Sequence, residues 1–189
     1  MKRISSIVLD YPLSPMRRRH SLAVATTAVA LNTRYRLGID GDELYEAGLH
    51  HDLAREWESE ALVRFSVDEQ VEVSDEELAH PVLLHAPVAA VVLERAGMSH
   101  AQVLAVRHHT LGSSEMGLMG KALFCADYLE PNRTHLNDEE RRLLLQEATI
   151  EALCLRVLER AWQWRRSEGK TISRASRAFY RSLMAEERA

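Results

Sequence analysis

Apolar side chains along this chain recur at helical spacing. Leu44, Ala47 and Gly48 fall three and four apart with His51 in step, and Val103 and Val106 repeat the pattern. No stretch alternates convincingly in the period of two that marks a strand, so the chain is expected to be all-α. Ser14-Pro15 reads as an N-cap followed by a first-turn proline, and Gly38 as a left-handed stop, which gives a long first helix. Asp40 to Glu43, Ser74 with Glu77, and Ser99 with Gln102 each resemble a capping box. A moderately helical stretch covers 58–65, and 67–73 reads as polar and irregular. Pro87 is expected to open a helix running to Gly97, which puts His85 at its entrance. His108-His109-Thr110 ends the helix capped by Ser99, and a buried helix over 118–129 is stopped by Pro131. Asp138 is expected to cap one long amphipathic helix to about Glu168, ended by Gly169, with Ser173 starting a last one.

A length of 189 residues suits one domain, here a core over about 14–135 with the C-terminal helices of 138–189 packed on it. The 46% hydrophobic and 28% charged residues exclude collagen-like and largely disordered classes. A net charge of −4 argues against a dedicated nucleic-acid binder, which needs a basic face. From Asp138 onward, 11 basic and 9 acidic residues describe a solvated helix surface, on which Trp162 and Trp164 read as packing anchors. The longest apolar run, Ala86 to Leu93, is far short of the roughly 18 residues a membrane span needs. Lys2 and Arg3 precede only a short apolar stretch, Ile7 to Leu9, broken by Asp10, so no secretory signal is expected. Cys125 and Cys154 lack the number and spacing of a disulfide framework or thiolate zinc site, which points to a reducing, cytoplasmic address.

Nine histidines stand out, all between His20 and His135. His51-Asp52 joins a neutral imidazole to an ionised carboxylate, both good ligands for borderline or hard cations. Its company is His20, His85, His109 and Asp127, the last inside an apolar helix. A carboxylate there either binds a cation, pairs with an arginine or accepts from backbone donors, because an unpaired buried charge costs several kcal/mol. Lys121, six residues ahead of Asp127 on the same helix, falls on the wrong side for the site and reads as structural.

These residues, in this order, resemble the HD-domain metal-dependent phosphohydrolases in their six-ligand version. Arg19-His20-Ser21, Leu49-His50-His51-Asp52-Leu53-Ala54-Arg55, Leu84-His85-Ala86-Pro87-Val88, Arg107-His108-His109-Thr110 and the block from Ala126 to Arg133 are similar to the hallmark segments of the symmetrically cleaving diadenosine tetraphosphate hydrolases of the YqeK type. The resemblance implies an all-helical HD-domain bundle with two metal ions that hydrolyses dinucleoside polyphosphates to two nucleoside diphosphates. It implies that His20, His51, Asp52 and Asp127 hold one ion, that Asp52 bridges to the second, and that His85 and His109 complete that site. Four histidines and two carboxylates without a thiolate suit iron, manganese or zinc over magnesium, and the resemblance favours iron.

Two such cations lower the pKa of a shared water and neutralise the departing oxygen, so no protein nucleophile is required. Asp52 is then the least replaceable residue, and Arg55, one turn beyond it, is the first candidate for a catalytic clamp on the phosphates. Thr110, Asn132 and Arg133 are further candidates for substrate contact. His50 and His108 depart from the family pattern, and His50, rotated about 100° from His51 on the helix, is expected to face elsewhere. His80, His100 and His135 match nothing in the family. The tail departs too, with Arg181 where asparagine is common. The expected partner is a nucleotide, with no nucleic acid and no membrane, and a homodimer is left open. Rival readings are a mononucleotide hydrolase of the same superfamily, a non-catalytic metal and nucleotide sensor, and a metal-free bundle.

Overall fold

A computed structural model describes residues 13–188; the Lys2 to Asp10 segment lies outside the described residues. Among the described residues ten α-helices follow in order: α1 Pro15–Tyr35, α2 Gly41–His50, α3 Ser59–Asp68, α4 Asp75–Ala79, α5 His85–Arg95, α6 His100–His108, α7 Gly117–Leu129, α8 Asp138–Leu144, α9 Ile150–Ser167 and α10 Arg174–Glu186, with a 3₁₀ turn at Pro81–Leu84 before α5. No strand occurs among the described residues, so the all-α expectation holds.

The caps form largely as the sequence predicts. Ser14 accepts from the Arg17 N–H, and both Ser74/Glu77 and Ser99/Gln102 close reciprocal capping boxes. At α2 only half the box forms: Asp40 accepts from the Asp42 and Glu43 N–H groups, while Glu43 takes the Ser99 hydroxyl instead. Four boundaries need correction. Helix α1 ends at Arg36, itself left-handed at φ 53°, before Gly38 is reached; Asn32 fixes this end by exchanging two hydrogen bonds with Ile39. Helix α3 runs on through Val67 and Asp68. Helix α5 begins two residues before Pro87, which still occupies its first turn, where no N–H is required. The single helix expected after Asp138 is two, α8 capped by Asn137 and α9 by Thr149. At the break the Leu145 carbonyl accepts from Arg34 of α1, a long-range bond that replaces the next helical one.

Helices α1 and α2 pack side by side, α7 lies against α1, α6 and α9, and α10 covers α9. One hydrophobic cluster extends from Val24 to Leu183, with Leu44, Leu93, Leu123 and Leu153 at its centre. Close approach of α1 to α2 depends on Gly48, where a Cβ would lie 2.6 Å from the Ala25 Cα. Helix α10 sits on the loop after α6: Phe179 fills the space where a Gly112 side chain would be, and the Ser176 hydroxyl donates to the Leu111 carbonyl at 2.8 Å. Trp162 anchors this region as expected, tilted against Tyr180 at 4.9 Å between centroids. Trp164 does not; it is 57% exposed, beneath the Lys170 ammonium.

Lys121 points away from Asp127 into a structural pair of carboxylates, Glu151 at 2.7 Å and Glu186 at 2.5 Å. Burial alone lowers its pKa, but the two carboxylates outweigh burial and hold it above the ordinary lysine value. Its stabilisation is therefore complete below the unfolded-state pKa and lost as pH rises through the higher folded value. Lys121→Met is expected to lose about 1–3 kcal/mol at neutral pH. In thermal melts the gap from wild type should narrow once the pH passes that of an ordinary lysine; a gap independent of pH would contradict it.

Candidate metal centre

Three of the histidines converge through one local device. His51 and His109 are the C-cap residues of α2 and α6, and His85 follows the 3₁₀ turn. Carbonyls in the last turn of a helix have no intrahelical partner. Each imidazole takes the carbonyl three residues back: His51 Nδ1 donates to the Gly48 carbonyl at 2.7 Å, His109 Nδ1 to Val106 at 2.7 Å, where the His109 backbone N–H also donates at 3.4 Å, and His85 Nδ1 to Val82. The fourth, His20 on α1, directs Nδ1 at the buried carboxylate of Glu130, 3.1 Å away. Carbonyls and carboxylates accept, so Nδ1 carries the proton in all four rings. In a neutral ring the lone pair is then on Nε2, facing inward.

Those inward atoms surround Asp52. Its Oδ2 lies 3.5 Å from Nε2 of both His20 and His51, while its Oδ1 lies 3.3 Å from His85 Nε2 and 3.7 Å from His109 Nε2. Asp127 adds Oδ1 at 3.0 Å from His20 Nε2 and 3.8 Å from His51 Nε2. The donors thus form two groups, His20/His51/Asp52 and Asp52/His85/His109, that share one carboxylate. The structure brings all six sequence-predicted residues to one place, and the four rings and Asp52 are buried.

Two carboxylates set the charge of the cluster, Asp52 beside Arg17 and Asp127 beside Arg133. Burial would raise the Asp52 carboxyl, but His51, His109 and His85 outweigh it and keep the group ionised well below the usual range. Asp127 is likewise held low: burial opposes, and His20 and Arg133 prevail. Burial drives His51 down to about 4 and also lowers His85, so both rings are neutral at neutral pH. Burial opposes protonation of His20 and His109 as well, yet Asp127 and Asp52 raise them, drawing positive charge toward the carboxylates. Buried Nε2 atoms of His20 and His51 have no hydrogen-bond partner, and the Nε2 atoms of His85 and His109 face each other at 3.3 Å. Inward imidazole nitrogens converging on carboxylate oxygens fit a cation, and the donor set fits a borderline metal.

The other expected residues are placed less centrally. Arg55 is half-buried without an ion pair among the described residues, its N–H donating to the Asp52 carbonyl at 2.9 Å. Thr110 is half-buried beside His109, and exposed Asn132 donates its N–H to Glu130 Oε2 at 2.6 Å. Arg133 pairs with the Asp127 carboxylate and donates Nε–H to the Asp127 carbonyl at 3.0 Å, the arginine partner expected for an acid in an apolar helix. His50 and His108 stand outside the cluster, and His135 lies against Tyr128. Two residues at the site escape the sequence reading. Arg17 reaches Asp52 Oδ2 at 2.6 Å, and Glu130 orients His20. A signal for Arg17 exists, since it precedes His20 by three residues and so shares its helix face.

A helical bundle whose helix ends gather four imidazoles around a shared aspartate defines a class. Residues 17–160 match the model of the HD domain, and the chain belongs to that family. It is 34% identical over 144 residues to the symmetrical bis(5'-nucleosyl)-tetraphosphatase of Bacillus subtilis strain 168, covering 75% of each chain. It is 35% identical over 136 residues to the enzyme of the same name from Halalkalibacterium halodurans, covering 70% of this chain and 71% of that one. Its fold also matches a crystal structure of a predicted HD superfamily hydrolase from Clostridium acetobutylicum, described as involved in NAD metabolism. There the TM-score is 0.84 at 24% identity, over 97% of this chain and 96% of the other. Among the described residues no helix is long and apolar enough to cross a membrane.

Proposed function

We propose that the protein is a metal-dependent hydrolase that splits diadenosine tetraphosphate, or a related dinucleoside polyphosphate, at the middle of its phosphate chain. One water is consumed and two ADP are released. The observation that carries the reading is the division of Asp52 between two donor groups, one oxygen to each. The names of the relatives supply the substrate class.

His20, His51, Asp52 and Asp127 would hold one ion, and Asp52, His85 and His109 the other, with iron first and manganese or zinc as alternatives. Bound divalent cations supply Lewis acidity, which activates a water for attack on phosphorus and neutralises charge on the departing oxygen. The chain itself contributes preorganisation. Glu130 and the three backbone carbonyls fix the tautomer and plane of each ring, and Asp52 and Asp127 stay ionised. Arg55 is the catalytic clamp in this reading, with Thr110, Asn132 and Arg133 toward the phosphates and ribose. Free, buried Cys125 and Cys154 suit a reducing, cytoplasmic setting.

Protein loaded with ferrous iron or manganese and incubated with diadenosine tetraphosphate is expected to yield ADP alone on anion-exchange separation. Release of AMP with ATP, or no turnover with either metal, would overturn the proposal; preference for mononucleotides would assign the protein to the sibling activity. Glu130→Gln replaces one of two accepting oxygens by a donor, and is expected to weaken metal affinity about tenfold to a hundredfold. A metal titration showing unchanged affinity would remove Glu130 from the site.

A further inference from the structure

Arg17 Nη1 holds Asp52 Oδ2 at 2.6 Å, the same oxygen that lies 3.5 Å from the inward nitrogens of His20 and His51. Two positive charges therefore have a claim on one oxygen, the guanidinium and any cation bound among His20, His51 and Asp52. We propose that Arg17 is a phosphate-binding residue of this site, held on Asp52 Oδ2 until a cation takes that oxygen and then free to grip the polyphosphate chain. The inference rests on the hydrolase reading above.

The anchoring of Arg17 fits that role. Its backbone is fixed at the start of α1, where its N–H donates to Ser14 Oγ, and Ser14 in turn donates from N and Oγ to Glu56. Its guanidinium is not saturated, because Nε is buried and finds no acceptor. Arg133 differs: it spends Nε on the Asp127 carbonyl and one terminal nitrogen on the carboxylate of the same residue, which leaves its other terminal nitrogen for substrate. Arg55 meets Asp52 only through its backbone N–H, and among the described residues its side chain makes no ion pair with the six donors.

Charge arithmetic gives the direction. Asp52 and Asp127 bring two negative charges, and two divalent cations would bring four positive ones. A guanidinium at the rim of that assembly is repelled unless an anion lies between. A polyphosphate is such an anion, and its paired oxygens match the planar fork of arginine.

The test uses the full chain as wild type, Arg17→Met and Arg17→Lys, with Mn²⁺ and inorganic pyrophosphate as probes. Removing a competing positive charge should make Arg17→Met bind Mn²⁺ more tightly, by about threefold to tenfold, in calorimetric titration of metal-free protein. The same variant, once loaded, should bind pyrophosphate about tenfold more weakly and show a KM for diadenosine tetraphosphate raised by a similar factor. Arg17→Lys keeps the charge and lacks the fork, so its Mn²⁺ affinity should match wild type while its pyrophosphate affinity falls severalfold. A merely structural Arg17 would weaken metal binding in the Met variant, and that result, or unchanged pyrophosphate affinity in both variants, overturns the proposal. Should Arg17→Met fail to fold, the Lys comparison decides alone. Wild type that binds pyrophosphate but leaves the dinucleotide intact would instead refute the hydrolase reading and leave the clamp standing.

Discussion

Asp52→Asn is expected to lower turnover of diadenosine tetraphosphate by about a thousandfold or more, the largest effect of any single substitution in the chain. The reason is geometric. Oδ1 faces His85 and His109, and Oδ2 faces His20, His51 and Arg17. An amide has one oxygen, so whichever way it turns, one group meets an NH₂ that can only donate. The variant should retain no more than one metal ion per chain by elemental analysis, against two for wild type, while its circular dichroism keeps the helical signature. Activity within tenfold of wild type, or full metal content, would mean that the carboxylate is not shared.

The largest stability effect is expected at Gly48. An added methyl would sit 2.6 Å from the Ala25 Cα and 2.9 Å from its nitrogen, backbone atoms that no rotamer change can move aside. Gly48→Ala should therefore cost about 3 kcal/mol, the upper part of the range for overpacking, measured by urea denaturation. The damage should reach the site as well. Gly48 supplies the carbonyl that fixes His51, so separating α2 from α1 displaces a ring along with a helix. A variant with wild-type stability would show that α1 and α2 can part without strain.

Much of this site is legible in the sequence, for a definite physical reason. Helix punctuation is local: Ser74 with Glu77 and Ser99 with Gln102 act within one turn, and both form as the spacing predicts. The six metal-type residues were marked by their chemistry and order, although periodicity alone placed only His51 on an inward face. What escaped was decided between elements distant in sequence. Arg17 reads as one of three consecutive arginines, and its contact to Asp52 depends on how α1 lies against the end of α2. Glu130 looks like a helix end before a proline until His20, 110 positions away, is set beside it. The break between α8 and α9 leaves a carbonyl for Arg34 to hold, a bond that no window around Leu145 contains.

The Nδ1 contacts of His51, His85 and His109 carry a lesson for protein engineering. Each ring is steered by a main-chain oxygen three positions earlier, a feature that survives almost any side-chain replacement nearby. A designer who wants an oriented imidazole ligand can therefore obtain it from a helix terminus alone, leaving the surrounding alphabet free to vary with the substrate.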